Sequence, residues 1–208
     1  MLSGGTWLAV SADARFAAVT NQRALSTPPA GLRSRGLVVR EIVEAPDPDA
    51  YVAAIEPRRY ASMNLVWGDA RSASIAYGRH DDGTLEIQRL GPGIHVLCND
   101  RLGADGFPRG VRLHAALAAL GSATFADSLP TIVRALGDHT RVPLAEVSPS
   151  HLPPDLGREL TATCIHSEHY GTRSSTILAL APGRVLHYLH ADGPPCTTPF
   201  VDRSTLLG

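Results

Sequence analysis

The chain has 208 residues, 44% of them hydrophobic and 19% charged, and a formal net charge of −1. That balance suits one ordinary domain with ample apolar material for a core, and it disfavours nucleic-acid binding, which needs a clustered positive surface. No apolar run approaches the roughly 20 residues that span a bilayer, and no basic-then-apolar leader opens the chain. Cys98, Cys164 and Cys196 are odd in number and unrelated in spacing, with no Cys-x-x-Cys. A disulfide framework or a zinc knuckle is therefore not expected, and a reducing cytoplasm fits best. Every basic residue is Arg rather than Lys, a bias that carries no functional meaning.

The chain opens on "GGTWLAV" and, after a turn at residues 11–15, "FAAVT", which together predict a β-hairpin. A Pro- and Ser-rich loop leads to Ser34, placed to cap a helix in "RGLVVREIVEA", whose Leu37, Val38, Ile42 and Val43 recur at helical spacing. A short helix follows in "PDPDAYVAAIEP". "MNLVWGD", "ASIAYGRH" and "TLEIQRL" predict three strands separated by turns, and "GIHVLCND" a fourth. "GVRLHAALAALG" and "FADSLPTIVRALGD" predict amphipathic helices, the second interrupted by Pro130. "TATCIHS", "SSTILAL" and "RVLHYLHA" predict a last group of strands, and residues 191–208 an irregular tail. Strands joined by short hairpins with helices in blocks make an α+β pattern of antiparallel sheets. Trp7 and Trp67, in apolar strands, are expected in the core. "HDD" at His80–Asp82 reads as a turn before Gly83.

Five segments in order carry a resemblance. "GGTWLAVSADARFAAVTNQR", "LRSRGLVVREIV", "YASMNLVWGD", "LGPGIHVLCNDRLGADGFPRG" and "HYGTRSSTILAL" together resemble the NRDE family, also called the transport-and-Golgi-organisation-2 family. The matches run from Gly4 to about Leu180, so the whole chain is expected to form a single domain of that family. Two departures stand out. The family's Met-Cys start and Asn-Arg-Asp-Glu quartet are not in this chain, whose second residue is Leu2, and the family's Trp-Pro-Lys is Phe107-Pro108-Arg109 here. The expectation is an N-terminally shortened form.

The resemblance implies an N-terminal-nucleophile-hydrolase-like αββα sandwich lacking its first strand. In that class an N-terminal Cys, Ser or Thr attacks an amide, with its own α-amino group as base. Without that residue the chain is expected to be non-enzymatic. The alternative is an amide hydrolase whose Met-Cys start lies upstream of Met1. Asn21 and Asn99 are similar to carboxamides that can face an oxyanion, and Arg173 to an Arg that can lower a thiol pKa. Both Asn residues also suit a plain role closing a turn through the side chain. Family members are associated with haem movement inside cells, which implies a cytoplasmic protein binding haem or another small hydrophobic ligand. Tyr170, His166 and His169 join the binding candidates. Cys164 and His166, two residues apart, would share a face of a strand and could make a metal or haem site. A buried thiol beside two surface imidazoles is the plainer reading, so no metal ligand is assigned and haem is considered only as a ligand.

Overall fold

The computed structural model describes residues 4–23, 27–149, 152–168 and 170–207. Two antiparallel sheets organise it. The first is a meander of β1 (Leu8–Val10), β2 (Phe16–Asn21), β3 (Met63–Gly68), β4 (Ala73–Gly78) and β5 (Leu85–Leu90), in chain order. The second is β6 (Ser175–Ala181), β7 (Arg184–Ala191) and β8 (Val201–Asp202). Two helices, α1 (Arg35–Glu44) and α2 (Pro48–Ala53), lie between β2 and β3, and three, α3 (Pro108–Ala118), α4 (Phe125–Leu136) and α5 (Pro154–Glu159), between β5 and β6. The α+β class read from the sequence stands.

Strand alternation sorts the first sheet into two faces. Ala17, Met63, Leu65, Trp67 and Ala76 pack on Val38, Val39, Ile42 and Val43 of α1 and Val52 of α2, forming the main core. Trp67 also donates its indole N–H to Asp49 at 2.7 Å, fastening α2 to β3. Ser34 does occupy the N-cap of α1, though its side chain makes no capping hydrogen bond. Two sequence motifs turn out to be halves of one contact. Gly5 precedes β1 and Gly36 opens α1, and a Cβ on Gly5 would lie 2.7 Å from the Gly36 carbonyl carbon. The Thr6 N–H donates to the Gly36 carbonyl at 3.0 Å, so the two backbones touch where only glycines fit.

Five local expectations need correction, the first being the break at Pro130, through which α4 runs on as one helix. "GIHVLCND" forms no strand, because the carbonyls of Cys98 and Asp100 are taken by side chains of β2 and β3 rather than by a ladder. "TATCIHS" forms none either. The amides of Thr163 and Cys164 both donate to the Asp138 carbonyl, leaving a single bridge between His166 and Gly171. The tail is not wholly irregular, since β8 pairs with β7 and a 3-10 turn follows at Ser204–Leu207. Trp67 is buried as expected, but Trp7 is 51% exposed beside the short edge strand β1. His80–Asp82 is a turn, with Asp82 accepting from the amide and hydroxyl of Thr84.

Candidate functional site

A cleft of about 470 Å³ opens where the end of β2, the loop before α3, α5, Ile165 and Tyr170 converge. One wall is apolar, with Val147, Leu156, Leu160 and Ile165. The other is polar, with Asn21, Gln22, Arg23, Asn99 and Arg109. Its size falls within the range of small-molecule sites.

The polar wall is built on the second face of the first sheet. Asn64 of β3 is fully buried, and its carboxamide satisfies four partners. It accepts from Gln22 Nε2 at 2.9 Å, and its own Nδ2 donates to the Thr20 hydroxyl at 3.0 Å, the Asp100 carbonyl at 2.9 Å and, more weakly, the Cys98 carbonyl at 3.5 Å. Thr20 in turn donates to the Cys98 carbonyl at 2.9 Å. This network clamps residues 98–100 across the sheet and so holds Asn99 at the cleft. The carbonyl of Asn99 accepts from the Arg23 amide, and its Nδ2 donates to the Asn21 carbonyl at 2.8 Å.

Arg109 completes the wall from the first turn of α3. Its guanidinium donates to Asn99 Oδ1 and to the Leu160 carbonyl. It is half-buried, and among the described residues it has no carboxylate partner. Arg23, by contrast, pairs with Asp100 at 3.2 Å and lies 4.7 Å over the Phe107 ring. Described residues take two of the five Arg109 N–H groups.

A sequence model described as Transport and Golgi organisation 2 matches residues 1–190. The chain belongs to the Transport and Golgi organisation 2 family. No curated protein matches it.

In this member of the Transport and Golgi organisation 2 family, the residues singled out from sequence divide between places. Asn21, Asn99 and Tyr170 line the cleft together, Tyr170 at its rim and 53% exposed. Asn99 is committed through both ends of its carboxamide, whereas the Asn21 carboxamide has no hydrogen bond to a described residue. Arg173 lies outside the cleft lining, exposed and without an ion pair among the described residues. His169 falls outside the described residues. Ile165 faces the cleft while its neighbours Cys164 and His166 meet each other elsewhere, with Sγ and Nε2 3.7 Å apart. Sharing a side, as expected, they do so in a bend rather than a strand. Burial pushes the Cys164 thiol above its ordinary range, and the Cys196 thiol 3.6 Å away adds to the rise. No helix among the described residues is long and apolar enough to cross a membrane.

Arg109, Gln22 and Asn64 were not singled out from sequence. The signal for Arg109 was its cationic place in Phe107-Pro108-Arg109, where the family has Trp-Pro-Lys. Gln22 and Asn64 sat in quoted motifs, but nothing local marks a buried carboxamide as a clamp.

Proposed function

We propose that this protein binds and carries an amphipathic organic acid, with haem as the cargo its family suggests. The carrying observation is Arg109, a half-buried guanidinium with no carboxylate partner among the described residues, facing a wall of aliphatic side chains. A half-buried cation favours an anion, because an opposite charge offsets its partial loss of water. The ligand's carboxylate would take the free N–H groups of Arg109, with the Asn21 carboxamide as a second donor. Its apolar body would lie on Leu156, Leu160 and Ile165. For haem, the propionates supply the acid and the macrocycle the apolar body. Tyr170, exposed at the cleft, carries a phenol of the kind that ligates haem iron in some haem proteins. Cys164 and His166 play no part in this reading, since neither lines the cleft.

The test is a haemin titration of the purified protein followed in the Soret band. A saturable one-to-one shift is expected, weakened about tenfold in Arg109→Gln, equivalent to about 1.4 kcal/mol. A non-saturating response, or equal affinity in the variant, would remove haem or Arg109 respectively from the reading.

A further inference from the structure

Next to Ile165, four soft or borderline ligands from three distant parts of the chain converge. His139 follows α4, Cys164 and His166 flank Ile165, and Cys196 comes from the turn after β7. One ligand atom from each lies within 4.8 Å of all the others. The Cys164 and Cys196 sulfurs are 3.6 Å apart, and His166 Nε2 is 3.7 Å from the first and 3.1 Å from the second. A tetrahedral zinc ion, with bonds of ~2.3 Å to sulfur and ~2.0 Å to nitrogen, sets sulfurs about 3.8 Å apart and sulfur and nitrogen about 3.5 Å apart. The three separations already lie close to those edges. A disulfide would need the two sulfurs at about 2.05 Å.

The surroundings are arranged as metal ligands require. His139 Nδ1 donates to the Cys164 carbonyl at 3.0 Å, which leaves the lone pair on Nε2. The Asp138 carbonyl accepts from the Thr163 and Cys164 amides at 3.1 and 2.9 Å, so the segments carrying His139 and Cys164 are zipped together. Arg112 braces both, reaching the Asp138 carboxylate at 3.1 Å and the Thr140 and Thr161 carbonyls at 2.7 and 2.8 Å. The turn bearing Cys196 is closed by the Thr197 and Thr198 amides on the Pro194 carbonyl.

We infer that His139, Cys164, His166 and Cys196 bind one zinc-class divalent ion. Four protein ligands close the coordination shell, so the ion is structural rather than catalytic. Two thiolates neutralise its charge, and their protons leave to solvent. It joins the end of α4, the back of the cleft wall and the C-terminal tail, which share no continuous ladder. This inference is independent of the cleft's ligand.

The protein, purified under reducing conditions, should hold about one zinc per chain by elemental analysis. Replacing zinc by cobalt should give intense visible bands and a near-ultraviolet thiolate band. Cys196→Ser and His166→Ala, at exposed positions where folding should survive, should each weaken metal retention at least tenfold and dim or shift those bands. Chelation should lower the Tm of the native protein by on the order of 5 °C and leave the already weakened variants nearly unmoved. Metal-free protein that does not take up cobalt would overturn the inference. So would a Cys164–Cys196 disulfide in freshly purified material, or variants that hold metal as tightly as the native chain.

Discussion

At the scale of single residues, Asn64 and Arg109 matter most, and they matter in opposite ways. Asn64 has every polar atom satisfied inside the protein, so its role is to fix the loop that carries Asn99. Arg109 has N–H groups without a partner among the described residues, and the proposed ligand would use them. Asn64→Ala would orphan the Asp100 carbonyl and leave a small cavity, at a cost of about 2–4 kcal/mol. Urea unfolding measures this, and amide exchange at residues 99–101 should accelerate alongside. A loss under about 0.5 kcal/mol would mean that the loop is held by something else. Neither residue was legible as a site from sequence. Asn64 lies in a strand with ordinary alternation, and its value comes from Thr20, Gln22 and Asp100, which only the sheet brings together.

At the scale of elements, the sequence was a good guide wherever hydrophobic period decided the outcome. β2 to β5, α1 and the β6–β7 hairpin follow from alternation, helical spacing and the turn at Gly183, whose φ is +74°. It misled where backbone groups found partners outside a ladder, as in residues 94–100 and 161–167. A polar cluster that periodicity does not reveal ties α1 to α2: Arg33 donates to the Tyr60 hydroxyl at 2.7 Å, and Glu41 accepts from both Arg33 and Tyr51. Burial first, and then the Glu41 carboxylate, push the Tyr51 phenol up to about 12. An unfolded tyrosine ionises near ~10. A raised folded pKa stabilises fully below the unfolded value and is lost as pH rises through the folded one. Thermal stability should therefore fall between about 10 and about 12, and fall less steeply in Tyr51→Phe. Superimposable alkaline melting curves for the two proteins would argue that α1 and α2 do not hold Tyr51 as described.

At the scale of the whole molecule, the family was legible because its motifs lie in order, and the match over residues 1–190 bears that out. What those motifs build is visible only in three dimensions. Gly5 meets Gly36, and the segment ending in Asn99 folds over Asn64 to make a wall. Cysteine spacing argued against a zinc knuckle, and spacing speaks only to such local sites. It is silent on a centre whose ligands at residues 139, 164, 166 and 196 are gathered by tertiary folding. The cleft is likewise a product of distant parts, an apolar wall from α5 and Ile165 against a polar one from β2, Asn99 and Arg109. Its claim to bind an organic acid rests on charge recognition by Arg109. Calorimetric titration of a long-chain fatty acid and of its methyl ester, against the native protein and Arg109→Gln, isolates that recognition. The native protein should bind the acid at least about tenfold more tightly than the ester, and the gap should close in the variant. Equal affinity of the native protein for acid and ester, or a gap that survives the substitution, would contradict it.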